Sequence, residues 1–179
     1  MLNVPNQIGT TGYDFQGHYD LPVGSGTFAT DFNGGLVTSA ASISNQSGSV
    51  GYFGDGVGNP IPKWRHNLRG TFTGQDGLFQ VSLNWRYISA TRSGTVRRTV
   101  QNTFARIPNY SYFDLAANVN IAKRMSLGVT INNLLDKDPP IIPARGGNNT
   151  YSINGWQNSP VNFYDIYGRY IQFSITTNF

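Results

Sequence analysis

No cysteine and no glutamate occur in these 179 residues. Without cysteine there is neither a disulfide framework nor a thiolate metal site. Asp, Glu, Lys and Arg together make up 12% of the chain, about half the share usual in soluble domains. Gly, Asn, Ser and Thr supply the polarity instead. No stretch approaches the run of about 20 apolar residues that a spanning helix needs. The opening residues, MLNVPNQIGTTGYDF, lack the basic, apolar and small-residue order of a secretion signal. The net charge of +4 is scattered. Its densest pairs, Arg97 with Arg98 and Lys123 with Arg124, have no basic helix around them, which argues against nucleic-acid binding.

What is abundant is glycine and aromatics, with 21 Gly, 11 Phe and 10 Tyr, a mixture that favours strands and turns. Alternation of apolar and polar residues recurs over Gly12–Leu21, Thr27–Thr38, Trp64–Thr73, Leu78–Ser89, Tyr110–Ala122, Met125–Leu134 and the terminal YGRYIQFSITTNF, each run reading as a strand. The connections alternate short and long. Pro22–Gly26, Gly74–Gly77 and Lys123–Arg124 are brief, whereas Ser39–Lys63, Thr91–Asn109 and Asp136–Asp165 are extended. All short turns therefore fall at one end of the strands and all long loops at the other, as in an outer-membrane barrel. Runs of this length also suit a tilted strand crossing a bilayer. The expected class is all-β, an antiparallel up-and-down transmembrane β-barrel segment of about seven strands that is incomplete on its own.

Charge separates the two faces. An Arg or Lys on the lipid side near the midplane costs about 2–4 kcal/mol. Asp14, Asp31, Arg69, Arg86 and Asp114 all lie opposite the aromatic positions, so they read as lumen-facing and the aromatics as lipid-facing. Trp64, Trp85, Tyr87 and Tyr112 are expected near the external strand ends, with Phe72 and Phe79 beside the turn at Gly74–Gly77. His66 shares the apolar face, and His18 lies on the other. A soluble β-sandwich is the competing architecture.

No catalytic constellation is visible. Two histidines on opposite faces do not build a triad or a metal pair, although Ser82 and Asn84 share a face. GYFGDGVGNP (residues 51–60) has neither the lysine nor the following helix of a phosphate loop and reads as an external loop. Asp136 and Asp138 fall short of a calcium ligand set. Ligand contact is expected instead from the last long loop, where Tyr151, Asn154, Trp156 and Gln157 offer ring and amide surfaces.

NNLLDKDPP (residues 132–140) resembles the closing segment of TonB-dependent outer-membrane receptors. YSYFDLAANV (residues 110–119) is similar to the strand before it, and PKWRHNLRGTF with LFQVSLNWRYIS to the preceding hairpin. GRYIQFSITTNF resembles the family's terminal strand, with Thr177 where an aromatic is frequent. The resemblance spans most of the chain and is strongest from Trp64 onward. It implies active uptake, energised by an inner-membrane TonB complex, of an iron chelate, cobalamin, saccharide or similar scarce ligand, without catalysis or a cofactor. It places the protein in the outer membrane of a Gram-negative bacterium, with residues 1–179 as the C-terminal portion of a barrel of about 22 strands. Plug domain and N-terminal strands are expected to be absent from the chain. The implied partners are outer-membrane lipid, the remaining strands and plug, the TonB complex, and the outer-membrane assembly machinery, which would read Ile171, Phe173, Ile175 and Phe179 in the last strand. A passive porin or small structural barrel is the alternative, and it needs an eighth strand.

Overall fold

The computed structural model describes residues 9–42, 46–47, 50, 52–53, 62–93, 106–122, 124–140, 144–145, 151–152, 164–165 and 167–177. Seven long strands carry the alternation: β1 (Gly9–Val23), β2 (Gly26–Ser42), β3 (Trp64–Thr73), β4 (Phe79–Ile88), β5 (Tyr110–Ala122), β6 (Met125–Asn132) and β7 (Tyr170–Thr177). They pair in chain order, each antiparallel to the next. The sheet is an all-β meander that does not close on itself, with β1 and β7 at its edges.

Strand bounds follow local chemistry. β3 and β5 span the residues their alternation predicts. β1 and β2 extend beyond theirs, because pairing continues to Gly9 opposite Ala41 after a register shift between Thr11 and Gly12. β6 stops at Asn132, short of the expected Leu134, because Asn133 has a φ of 52°, a value that ends a ladder. Glycine permits the tight turns at the opposite end: Gly24 has a φ of 60° between β1 and β2, and Gly77 one of 68° in the 3-10 turn Gln75–Gly77. The long connections contain short pairings of their own. Tyr52–Phe53 lies parallel to Thr91–Ser93, which in turn pairs with Arg106–Ile107. Phe179 and most of GYFGDGVGNP lie outside the described residues.

Residues directly opposite in a ladder point to the same side, so the registers fix both faces. One row across the sheet reads Tyr19, Thr30, Gly70, Leu83, Leu115, Ile131 and Ile171. Its neighbour on the other side reads Asp20, Ala29, Thr71, Ser82, Ala116, Thr130 and Gln172. Among the described residues no second sheet covers either face, as a β-sandwich would require. Large apolar side chains consequently stand uncovered, with Phe173 78% and Ile175 71% exposed. Rings lie over Gly26, Gly34 and Gly70 on this apolar face. A Cβ built at Gly70 would stand 2.9 Å from the Phe28 ring, so glycine there lets the aromatic lie flat along the wall.

The buried cluster sits at one end only. Ile88, Ile107, Tyr110, Tyr112 and Tyr164 pack at the long-connection end, on the polar side of β4 and β5. Tyr112 is therefore not part of the aromatic belt on the apolar face. It lies opposite Arg86 in register and is fully buried, while Phe113, next in sequence, takes the apolar-face position beside Trp85.

The motif NNLLDKD builds the exit from β6. Asn133 is buried, and its side chain replaces a backbone pairing: Nδ2 donates to Lys137 O at 2.9 Å, and Oδ1 accepts from Lys137 N at 2.9 Å. Asp136 Oδ1 accepts from Arg169 N at 2.9 Å, tying the two ends of the last long connection together. Asn133→Ala leaves both Lys137 backbone groups unpaired, a loss of about 1–3 kcal/mol, and puts a Cβ without a compensating side chain in a left-handed conformation, about 1–2 kcal/mol more. Asn133→Gly should recover only the second part. Guanidinium unfolding of the vesicle-inserted protein checks both.

Candidate functional site

The polar face carries a ladder of charge. His18 Nδ1 lies 2.6 Å from Asp31 Oδ1 and Nε2 3.1 Å from Asp20 Oδ2. Asp31 stands opposite Arg69, Arg69 opposite Asn84, and Asn84 opposite Asp114. Asn84 Nδ2 donates to Asp114 Oδ2 at 3.3 Å. Alternation alone puts these residues on one side, and the registers bring them level, so five strands contribute one continuous polar row.

The row ends in a fork. Arg86 donates through Nε to Asp114 Oδ2 at 2.7 Å and through Nη2 to Asp114 Oδ1 at 2.9 Å, the bidentate geometry that makes Arg–carboxylate pairs strong. Nη2 also donates to Asp165 Oδ2 at 2.6 Å, and the guanidinium lies over the Tyr112 ring, 5.0 Å from its centre. The Asn133 amide donates to Asp114 Oδ1 at 3.0 Å. Asp114 thus receives four donors in one plane of the wall. Beside it Tyr164 is buried against Tyr110, ring centres 5.0 Å apart. Burial pushes the Tyr164 phenol above its ordinary pKa, so it stays protonated. Its hydroxyl finds no hydrogen-bond partner among the described residues.

Next to the fork the polar face hollows into an open concavity of about 470 Å³. Asp14, Gln16, Asn33, Arg65, Asn67 and Arg86 are among its walls. Toward the short turns Ser82, Ala116, Asn118, Gly128 and Ser174 pave the same face with small side chains, leaving a second hollow of about 210 Å³. Both are open, the second mostly polar and the first mixed, with Phe15, Tyr87 and Ile88 also in its walls. Among the described residues no group of His, Asp or Glu is placed to hold a metal ion.

The structure places Asp14, Asp31, Arg69, Arg86 and Asp114 on this one face, and joins only Arg86 and Asp114 directly among them. Ile171, Phe173 and Ile175 lie on the opposite, apolar face of β7. Tyr151 pairs by backbone with Arg145, its side chain lying outside the described residues together with Asn154, Trp156 and Gln157. Asp165, Tyr164 and the buried role of Asn133 escape sequence reasoning. Alternation reaches neither loop residues nor turn residues, and only the asparagine-rich motif marks Asn133 at all.

On the apolar side, aromatics crowd the long-connection end. Phe15 and Trp64 lie 5.7 Å apart, and His66 sits between Trp85 at 4.6 Å and Tyr87 at 5.0 Å. Trp64 Nε1 donates to His66 Nδ1 at 2.8 Å, which gives the imidazole a partner where no charged group stands. At the short-turn end Phe72 and Phe79 meet at 5.8 Å. Aromatic rings at both strand ends are the pattern of a wall held between two interfaces.

The model of the TonB dependent receptor-like β-barrel family matches residues 1–134, including the N-terminal strands where the motif resemblance is weaker and ending at Leu134. Among solved structures, a mutant of the ferric enterobactin receptor from Pseudomonas aeruginosa is similar, with a TM-score of 0.54 and 15% identity over 95% of this chain. The chain spans 22% of that receptor's length. No curated protein matches at a significant level. With a two-faced antiparallel wall, belts at both ends and a family match over most of its length, the chain belongs to the TonB dependent receptor-like β-barrel family, outer-membrane receptors and transporters of Gram-negative bacteria and not enzymes.

Proposed function

We propose that these strands form the C-terminal part of the wall of a TonB-coupled receptor that takes up a scarce ligand across the outer membrane. The polar ladder then faces the lumen, where the plug of such a receptor sits, and the long connections face outward. Ile171, Phe173, Ile175 and Phe179 belong to the strand that the assembly machinery reads. The observation that carries this reading is the open meander of seven long described strands with one predominantly apolar face. In an up-and-down sheet of seven strands the first and last run in the same direction, so joining β7 to β1 makes a parallel seam, within one chain or between copies in a ring. Antiparallel closure requires an odd number of further strands, and these must come from outside the seven.

A passive pore built by the seven described strands alone conflicts with that parity. The iron chelates are the first ligand class to try, since the similar structure is a ferric enterobactin receptor, with cobalamin and oligosaccharides next. The test is uptake of labelled ferric enterobactin, cobalamin and a maltooligosaccharide by cells expressing the receptor that carries these strands, with and without a working TonB complex. Uptake of one ligand only when the complex works is expected. Uptake that persists without it indicates a passive pore, and recovery of the protein in the soluble fraction overturns the outer-membrane reading.

A further inference from the structure

We propose that Tyr164 and Asp165 form a releasable latch over the external mouth of the polar face, held by Arg86. The inference rests on the receptor reading above and concerns a contact that the reading does not require. The chain reaches β7 at Tyr170, and β7 pairs with β6 alone. Yet Tyr164 and Asp165 sit on β4 and β5, across the width of β6, so the incoming chain first crosses the inside of the wall. Beneath them lies an apolar floor of Ile88, Ile107, Tyr110 and Tyr112 on a face that is otherwise polar.

Three features make the docked position one of two. Among the described residues the polar anchors are few: one ion pair from Arg86 Nη2 to Asp165 Oδ2 at 2.6 Å, and a long bond from Asp165 N to Tyr112 Oη at 3.4 Å. Docking buries the Tyr164 hydroxyl without a partner among the described residues, a cost that undocking removes. Release does not orphan Arg86, because Asp114 keeps both of its forked bonds. The guanidinium is therefore satisfied with the latch on or off, which is what a bistable contact needs. Arg86 and Ile88 also line the 470 Å³ concavity, so undocking widens that hollow toward the floor.

The absence of cysteine from this chain allows a direct test in the intact receptor, with any cysteine elsewhere replaced. Ile88→Cys places a thiol in the floor, and a membrane-impermeant maleimide is applied to whole cells. Labelling is expected to be slow, to accelerate about tenfold or more on adding Asp165→Asn as the docked population falls, and to stay slow with Asp165→Glu. An unchanged rate with Asp165→Asn overturns the latch. Should Asp165→Asn fail to assemble, Tyr164→Phe serves instead: removing the unpartnered hydroxyl must slow labelling further, and an equal or faster rate overturns the proposal. Tyr167→Cys, at a position 83% exposed, is the control. Failure to label it from outside the cell counts against the outer-membrane orientation, whereas its labelling with unchanged rates at position 88 counts against the latch alone.

Discussion

Leu83→Arg should destabilise the assembled barrel by about 2–4 kcal/mol, whereas Ser82→Arg, one residue away, should stay within about 0.5 kcal/mol. Leu83 sits mid-strand in the row of Tyr19, Leu115, Ile131 and Ile171, and Ser82 in the row of Asp20, Thr71 and Thr130. If the first row meets hydrocarbon, an arginine there has no water to return to at the midplane, while the same side chain on the polar face extends into a wet lumen. Guanidinium unfolding from phospholipid vesicles, compared at constant slope, reads the difference. Equal costs at the two positions would remove the lipid assignment of the apolar face, and reversed costs would invert the wall.

Arg86→Met should cost about 3 kcal/mol, the lower end of what breaking a buried ion pair costs. The lower end applies because Arg86 keeps 28% of its side chain exposed, against 15% for Asp114 and 24% for Asp165. Methionine fills the space of the aliphatic stem but leaves two carboxylates facing each other without a cation. Arg86→Lys should recover only part of the loss, since a point charge cannot make both parallel bonds to Asp114 while also reaching Asp165. The same unfolding measurement applies. A loss below about 1 kcal/mol would show the fork to be solvated in the way of surface pairs.

The architecture was legible because a two-residue period survives in any one strand without reference to its neighbours. Tyr13, Phe15 and Tyr19 declare one side of β1 by themselves, and Trp64–Thr73 and Tyr110–Ala122 give their strands to the residue. What alternation does not report is how far along a neighbour each strand sits. The level pairing of Asp31 with Arg69 and of Arg86 with Tyr112 needed the registers, and with them Tyr112 moved from the aromatic belt to the inside. Asp165 was illegible for a different reason. It belongs to no periodic segment, and its meeting with Arg86, 79 positions earlier, depends on a chain path that no local pattern encodes. Asn133 lies between, since its residue type suits a left-handed turn, but its pair of hydrogen bonds to the Lys137 backbone shows only in three dimensions.

The confinement of the buried cluster to one end gives the wall a mechanical polarity. At the long-connection end Tyr164 packs with Ile88, Tyr110 and Tyr112 over β4 and β5, and the fork of Arg86 pins the same place. At the short-turn end the described residues form no buried cluster: beyond its ladders the sheet has exposed bonds such as Asn120 Nδ2 to Gly77 O and a ring contact between Phe72 and Phe79. With Tyr164 and Asp165 docked the rim is thus stiff and the foot compliant. Strain from a bilayer of changing thickness, or from a moving body inside the barrel, is then absorbed where the turns are tight and the side chains small, and the outward mouth changes shape only when the latch releases.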